Sequence, residues 1–240
     1  MVTTKIEEFN LQPGRVLAGR YSVEAMLGSG WEGEVYRVIE QKTGIQRAAK
    51  LFYPHRNIRD RAVKFYARKL DLLRKCAIAI QYHHSIAVRH RGVEITCLVS
   101  EYVDGELMSD FIRHQPGHRM RTFEALHLLH ALVIGIEEVH RVKEYHGDLH
   151  SENVLVKRRG IGFDVRVVDF FHRGATTREK RREDIVDVVR MFYDALGGRR
   201  WYPSQPPCVR TICRGMRSDL ILRRFPTIVA LRDYLDSFEW

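Results

Sequence analysis

An aspartate and an asparagine lie five positions apart near the middle of the chain, close enough to take part in the same chemistry. Asp148 and Asn153 are separated by Leu-His-Ser-Glu, and a second carboxylate, Asp169, follows the next apolar run. Two short strands, one leading away from Asn153 and one ending at Asp169, would bring the three side chains together. Such oxygen ligands suit Mg²⁺, and a nearby carboxylate can orient a hydroxyl for phosphoryl transfer. Taken alone, an Asp and an Asn in a loop are more often turn formers.

A glycine-rich segment precedes this pair in the chain. Gly28, Gly30 and Gly33 lie between two segments in which polar and apolar residues roughly alternate, and Val35 follows them. The alternation predicts two strands joined by a loop whose backbone can approach phosphate groups closely. An ordinary hairpin turn is the alternative for these glycines. Lys50 ends the following segment, which is a third predicted strand.

The glycine loop, the strand lysine, the central loop and the later aspartate occur in an order that resembles the protein kinase family. The resemblance runs from about Tyr21 to Trp240. It implies an α+β, two-lobed fold with a small β-rich N-lobe that contains one helix, and a larger helical C-lobe. We expect a lead-in over residues 1–20, the N-lobe over 21–103 and the C-lobe over 104–240, forming one kinase-like domain. Small size and family style favour a bacterial eukaryotic-type Ser/Thr kinase of minimal build.

The resemblance assigns roles to residues at matching positions. Asp148 would orient the attacking hydroxyl, and Lys50 would pair with the α- and β-phosphates of ATP. Asn153 and Asp169 would hold Mg²⁺. His150 stands where many protein kinases have a lysine that contacts the transferred phosphate, which also resembles antibiotic phosphotransferases.

The same resemblance implies a complete ATP site. Its residues would be Gly28, Gly30, Gly33, Val35, Ala48, Lys50, Glu101, Val103 and Leu155. Glu101 and Val103 belong to a hinge-like segment whose backbone would bond the adenine. Val35, Ala48 and Leu155 would enclose the base, although plain core packing explains these three residues equally well.

One helical position departs from the family pattern. Helical spacing of apolar residues predicts a helix over residues 57–75. The family's glutamate partner for the strand lysine would fall on Lys69, and no Glu occurs between Glu40 and Glu94. Either Asp71 or another acid replaces that partner, or Lys50 is held by the phosphates alone.

The region around Asp169 departs as well. Asp169-Phe170-Phe171 replaces Asp-Phe-Gly, and Gly147 replaces an arginine that binds phosphorylated activation loops in many kinases. Only fourteen residues separate Asp169 from Asp184, which matches the family aspartate that braces the catalytic loop. We therefore expect a shortened activation segment.

His146 is expected to support the catalytic loop. Helices are predicted over residues 122–142, with Thr122 as N-cap, and over residues 183–196.

Net charge and composition restrict the class of binding partner and the location of the protein. The formal net charge of +10 attracts phosphates or acidic proteins, although a solvated basic surface is the alternative. The densest basic run lies near the expected substrate mouth and comprises Arg178, Lys180, Arg181 and Arg182. No nucleic-acid motif, signal peptide or bilayer-spanning apolar run is visible. The four cysteines lack metal-ligand spacing, which favours buried free thiols and a cytoplasmic location.

Three functions are compatible with these motifs. The first is an ATP- and Mg²⁺-dependent Ser/Thr protein kinase, whose acceptor we expect to be acidic because of Arg173 and the basic run. The second is a small-molecule phosphotransferase acting on an antibiotic or sugar hydroxyl, which His150 and the short activation segment favour. The third is a nucleotide-binding pseudokinase that acts as a scaffold, which the missing helix glutamate favours.

Overall fold

The computed structural model describes residues 6–170, 174 and 176–239. The chain divides into two compact units. Met1–Arg74 and Ile80–Val103 form the first, which we call the sheet unit, and Lys75–Ala79 and Asp104–Trp240 form the second, which we call the helical unit. The fold therefore combines a β-rich part and a helical part, as the resemblance implies.

The sheet unit is built on a six-stranded antiparallel sheet with the strand order β1-β2-β3-β4-β6-β5. The strands are β1 Val16–Leu17, β2 Tyr21–Ser29, β3 Gly33–Glu40, β4 Gln46–Phe52, β5 Tyr82–His90 and β6 Val93–Glu101. One α-helix, α1 (Arg61–Leu72), joins β4 to β5 and buries Val63, Tyr66, Lys69 and Leu70. The apolar spacing that predicted this helix is therefore the spacing of its buried face.

Alternation along β3 separates the two faces of the sheet. Tyr36 and Val38 are fully buried in the core of the sheet unit, whereas Val35 is only partly buried. Successive side chains of a strand point to opposite faces. Val35 therefore lies on the face opposite the core, where a ligand can reach it.

The segment before the first strand also belongs to the core of the sheet unit. Phe9 is buried, and its backbone N–H donates to the Glu34 carboxylate at 2.8 Å. Glu34, itself buried, also accepts hydrogen bonds from the Tyr36 and Tyr53 hydroxyls. Burial and the Glu34 carboxylate raise the pKa of Tyr53 to about 12. Both hydroxyls thus remain protonated donors at neutral pH.

The helical unit contains seven α-helices among the described residues and one small antiparallel sheet. The helices are α2 Met108–His114, α3 Thr122–Arg141, α4 Arg178–Ala195, α5 Gly198–Trp201, α6 Pro207–Cys213, α7 Ser218–Arg224 and α8 Ile228–Asp236. The strands, in spatial order, are β7 Glu106–Leu107, β8 Val154–Arg159 and β9 Gly162–Val167. Half of the α3 residues are buried, so this helix forms the centre of the unit.

Three local predictions need correction. Thr122 is the first residue of α3 and not its cap, because its hydroxyl donates to the Gln205 side chain at 3.0 Å. Helix α4 begins at Arg178 and not at Glu183, because the Thr177 side chain accepts from the Lys180 N–H and caps it. The sequence pattern also failed to predict α2 and α7, which are only seven residues long each.

The structure also bears on membrane-spanning helices and on the state of the cysteines. Within the described part of the chain, no helix has both the length and the apolar character needed to cross a bilayer. All four cysteines are free, and Cys76, Cys97 and Cys213 are buried. Burial raises the pKa of the Cys213 thiol to about 12, so this group is unreactive at neutral pH.

Candidate active site

Three of the predicted ATP-site residues share one face of the main sheet. The β3–β4 register pairs Val35 with Lys50 and Arg37 with Ala48. Directly opposed residues of an antiparallel pair project to the same face, as do residues two apart in a strand. Val35, Ala48 and Lys50 therefore line the face of the sheet opposite the core.

The three glycines around the β2–β3 turn, Gly28 in β2, Gly30 in the loop and Gly33 in β3, differ in what the fold demands of them. A Cβ added to Gly33 would lie 1.9 Å from the Leu51 carbonyl oxygen, so β3 and β4 require glycine there. A Cβ added to Gly28 or Gly30 would have no neighbouring atom within 4 Å. Packing thus explains Gly33, whereas the space around Gly28 and Gly30 leaves room for a ligand to approach the backbone, as phosphate groups do in such loops.

Lys50 has a carboxylate partner, and that partner comes from the glycine loop. Its Nζ atom lies 3.3 Å from Oε2 of Glu32. The Tyr66 hydroxyl of α1 donates to the same oxygen at 2.7 Å, and the Lys50 ammonium lies 4.3 Å from the centre of the Tyr66 ring. Asp71 instead contacts Arg74 on the helix surface, so the hypothesis that Asp71 replaces the missing helix glutamate is wrong.

The hinge-like segment follows β6. The Glu101 N–H donates to the Gln81 carbonyl at 2.9 Å, so a ligand contact at Glu101 would use the carbonyl oxygen. Val103 lies two residues further on and is partly buried. Leu155 is also partly buried, but it belongs to β8 of the helical unit, between the buried Val154 and Val156.

A buried carboxylate supports the catalytic loop in the helical unit. Asp184 of α4 is 0% exposed, and it accepts the backbone N–H groups of His146 at 2.8 Å and Gly147 at 3.0 Å. Its Oδ2 also lies 3.0 Å from Nε2 of His140 on α3. Gly147 has φ +88°, a conformation that favours glycine over the family's arginine. These contacts fix the backbone immediately before Asp148.

His146 connects the catalytic loop to the residue before Asp169. Its Nε2 donates to the Val168 carbonyl at 2.9 Å, and its Nδ1 accepts the Asp148 N–H at 3.3 Å. Burial lowers the pKa of the His146 imidazole, against the opposing effect of Asp184, so the ring is neutral at pH 7. His146 therefore acts as a structural support, as the sequence analysis expected.

Asp148, His150 and Asn153 lie close together. The Asn153 Nδ2 donates to the Asp148 carbonyl at 2.8 Å and lies 2.9 Å from the His150 Nε2. These contacts occupy the amide nitrogen and direct Oδ1 elsewhere. The Asp148 carboxylate is 46% exposed and lies 3.8 Å from the His150 Nε2. The loop therefore presents the Asp148 carboxylate to solvent and holds the Asn153 amide, which is buried, beside it.

Strands β8 and β9 bring Asp169 to this loop, as the spacing predicted. Val154 pairs with Val167, and the Val168 N–H donates to the Asn153 carbonyl at 3.0 Å. Asp169 is exposed, with φ +55°, whereas Phe170 is buried against the His146 ring at 4.6 Å. Phe170 thereby anchors the segment that presents Asp169. Phe171 and Arg173, which the sequence analysis singled out, lie outside the described residues.

The donor set at this place suits a hard divalent cation. Asn153 offers an amide oxygen and Asp169 a carboxylate, which are ligands that Mg²⁺ accepts. Among the described residues, no cluster of three or more His, Cys, Asp or Glu side chains could hold a metal by itself. Two protein ligands completed by phosphate oxygens and water are typical of Mg²⁺ at nucleotide sites, so the residues fit the ion.

A cavity of about 310 Å³ adjoins the catalytic loop within the helical unit. Its walls include His150 and Ser151 of the loop and Asp187, Arg190 and Asp194 of α4. Burial raises the pKa of Asp187 to about 6, even though Arg190 lies 2.9 Å away and opposes the effect. Burial also raises the pKa of Asp194. Most of the cavity wall is apolar, and the carboxylates of Asp187 and Asp194 add two polar groups beside the catalytic loop.

Glu32 and Tyr66 are the residues at this site that sequence reasoning missed. Glu32 lies in a loop, and Tyr66 belongs to the helix that apolar spacing predicted over residues 57–75. One signal was present: α1 has no glutamate, while the glycine loop contains one just before Gly33. Only the folded sheet shows that these two positions meet at Lys50.

Comparison with known families agrees with the arrangement of the glycine loop, the strand lysine and the catalytic loop. The protein kinase domain family matches residues 21–203. The chain belongs to the protein kinase family. This confirms the resemblance inferred from the glycine loop, the strand lysine and the catalytic loop.

Several Ser/Thr kinases are similar in sequence. The serine/threonine-protein kinase pkn2 of Myxococcus xanthus is 31% identical over 157 residues, which are 65% of this chain and 18% of that protein. The CBL-interacting protein kinase 30 of Oryza sativa subsp. japonica is 30% identical over 165 residues, which are 68% of this chain and 33% of that protein. The chain thus spans a third or less of the length of these relatives.

The fold is shared with a solved bacterial kinase domain. The PknI kinase domain of Mycobacterium tuberculosis superposes with a TM-score of 0.66, covering 95% of this chain and 97% of that domain at 20% identity. This likeness confirms the predicted α+β kinase fold.

Proposed function

We propose that this chain is an ATP- and Mg²⁺-dependent Ser/Thr protein kinase with a shortened activation segment. The observation that supports it most is the catalytic loop, in which Asp184 accepts two backbone N–H groups while the Asp148 carboxylate remains accessible. A loop that served only as a turn would not need a fully buried carboxylate to fix its backbone. The free buried cysteines support a cytoplasmic location.

Each residue has a task in this reaction. Asp148 accepts a hydrogen bond from the acceptor hydroxyl and orients its oxygen toward the phosphorus. Lys50 pairs with the phosphates, while Asn153 Oδ1 and Asp169 hold the metal. When bound, Mg²⁺ neutralises charge on the phosphate oxygens. His150, beside Asp148 and Asn153, stands at the position where the family's lysine contacts the transferred phosphate.

Transfer of labelled phosphate from ATP with Mg²⁺ tests this function. Asp148→Asn should lower kcat by about 10²–10⁴-fold, because the amide cannot accept the hydroxyl proton. Glu152→Gln makes the same chemical change on an exposed residue of the same loop and should leave kcat within about twofold of wild type. A wild-type chain as inactive as Asp148→Asn would contradict the proposal and favour a nucleotide-binding scaffold.

The basic residues at the start of α4 support an acidic protein acceptor. Arg178 is exposed and lies in the first turn of the helix with Lys180 and Arg181. Their attraction for an acidic peptide extends over roughly 8 Å at physiological salt. In the same transfer assay, an acidic Ser peptide should therefore be phosphorylated faster than a basic one, and added salt should reduce the difference.

The cavity beside His150 favours a second candidate function, a small-molecule phosphotransferase. Its volume of about 310 Å³ is at the lower end of ligand pockets. Asp187 and Asp194 would bind ammonium groups, as on an aminoglycoside-like sugar whose hydroxyl faces Asp148. Rapid transfer to such a sugar, with slow transfer to every peptide, would establish this function and exclude the protein-kinase proposal.

A further inference from the structure

Lys50 and two other side chains of the sheet unit form a cluster that the family resemblance does not predict. Lys50 comes from β4, Glu32 from the glycine loop and Tyr66 from α1. One oxygen, Oε2 of Glu32, lies 3.3 Å from the Lys50 Nζ and accepts the Tyr66 hydroxyl at 2.7 Å. We call these three residues the lysine cluster.

The cluster is enclosed enough to fix its members. The side chains of Lys50 and Glu32 are 14% and 26% exposed, and Tyr66 is buried. The Lys50 ammonium lies 4.3 Å from the centre of the Tyr66 ring, within the range of cation–π attraction. An exposed ion pair contributes little because both side chains move freely. Here the hydroxyl and the ring restrict the carboxylate and the ammonium together.

Helix α1 explains why such a cluster is needed. The helix contains no glutamate, and the position expected to supply one is Lys69, which is buried. Helix α1 therefore contacts Lys50 through the Tyr66 ring and the Glu32 carboxylate through the Tyr66 hydroxyl. The carboxylate that the helix lacks is supplied from the loop between β2 and β3.

We infer that Glu32 positions Lys50 for the phosphates of ATP in place of a helix glutamate. This inference rests on the proposed kinase function. Glu32 is two residues after Gly30 and directly before Gly33, so the loop expected to cover the phosphates also carries the partner of the lysine that binds them. Loop conformation and lysine position are therefore coupled in this chain.

Glu32→Gln tests the inference because it removes the charge and keeps the shape. A displacement of about 1 Å at a reacting group lowers rates by about 10²-fold, and we expect a fall in kcat between about tenfold and 10²-fold. The KM for ATP should change by less than about threefold, since the phosphates keep their other contacts. Glu24→Gln is the matched control, because Glu24 also pairs with a basic residue of the main sheet, Arg37, at 2.8 Å.

A double-mutant cycle with Lys50→Met separates positioning from general stability. If Glu32 acts through Lys50, Glu32→Gln should cause no further loss of kcat in the Lys50→Met background. A purely structural role would give additive losses. Tyr66→Phe keeps the ring and removes the hydroxyl, so it should lower kcat by less than Glu32→Gln does.

The outcomes distinguish this inference from the proposed function. A wild-type chain without phosphoryl transfer overturns both. An active wild type with Glu32→Gln equal to Glu24→Gln overturns only the role of Glu32. Higher activity and a lower KM for ATP in Glu32→Gln would also overturn it, since Glu32 would then compete with the phosphates for Lys50.

Discussion

The catalytic loop and the lysine cluster are held by different kinds of contact. In the helical unit, a fully buried carboxylate of Asp184 accepts backbone N–H groups of the loop. In the sheet unit, Lys50 contacts the side chains of Tyr66 and Glu32, and Glu32 is a quarter exposed. The first arrangement follows the family pattern, whereas the second has a different donor of the carboxylate.

The difference shows which parts of a site tolerate rearrangement. A backbone N–H is present at every position except proline, so the contact that fixes His146 and Gly147 requires only one side chain, Asp184, as acceptor. The support of Lys50 needs two matched side chains, and a carboxylate from any nearby element can satisfy it. The lysine partner could therefore move from the helix to the loop, while Asp184 could not be replaced as easily.

The largest effect that we expect is a loss in the free energy of unfolding, which should be greater for the support of the catalytic loop than for the lysine cluster. Asp184→Ala leaves three donors of the helical unit without their buried acceptor, and should lower the free energy of unfolding by about 3–5 kcal/mol. Glu183→Gln, on an exposed neighbour, should change it by less than about 0.5 kcal/mol. Urea denaturation measures both.

Glu32→Gln completes that test. Because the cluster is partly exposed, its loss should lower the free energy of unfolding by less than about 1 kcal/mol. Equal losses for Asp184→Ala and Glu32→Gln would show that the two regions are supported in the same way.

A second prediction sharpens the comparison within the glycine loop. Gly33→Ala forces a Cβ to within 1.9 Å of the Leu51 carbonyl oxygen and should destabilise the sheet unit by about 2–3 kcal/mol. Gly30→Ala meets no atom within 4 Å and should leave the melting temperature nearly unchanged while raising the KM for ATP. Thermal unfolding and steady-state kinetics distinguish them. A melting temperature lowered as much by Gly30→Ala would mean that both glycines are structural.

The smallest effect that we expect is a pH-dependent change in melting temperature, caused by a second carboxylate of α4 near the catalytic loop. Burial raises the pKa of Asp187 to about 6 in the folded chain, above its ordinary value of 3.8, so the folded state binds this proton more tightly. Asp187 therefore destabilises the fold progressively as pH rises from 4 to 6. Asp187→Asn should match wild type near pH 4 and raise the melting temperature by about 1–3 °C at pH 7.

An exposed carboxylate provides the control for Asp187. Asp219 contacts Arg217 at 3.3 Å in a solvent-exposed pair, and Asp219→Asn should show no such rise over this pH range. A melting temperature that falls in Asp187→Asn at pH 7 would mean that the Arg190 contact outweighs burial. Asp187 would then support the loop as Asp184 does.

Local sequence patterns predicted many of the secondary-structure elements, and they missed others for physical reasons. Alternation and turn glycines predicted the β2–β3 hairpin, and apolar spacing predicted α1, because both signals report burial. Helix α4 starts earlier than predicted because the cap, Thr177, precedes a run of charged residues without any apolar signal. Helices α2 and α7 are too short to show a clear period.

Site geometry was predictable where chain order determines it. Asn153 and Asp169 lie near each other because each adjoins one strand of the β8–β9 pair, and the Val168 N–H donates to the Asn153 carbonyl. Glu32 and Tyr66 lie 34 positions apart, and their contact depends on how α1 packs against the sheet. No local pattern contains that information, although the missing helix glutamate showed that a substitute was required.

The buried Glu34 has a consequence for where this kinase domain begins as a folding unit. Similarity to the family starts at residue 21, yet Phe9 and Asn10 donate backbone N–H groups to Glu34, at 2.8 and 3.3 Å. A chain shortened to the region of similarity would lose both donors and the aromatic cover that Phe9 gives Tyr53. The boundary of homology and the boundary of autonomous folding therefore differ, and a transplanted sheet unit would need the residues that precede its first long strand.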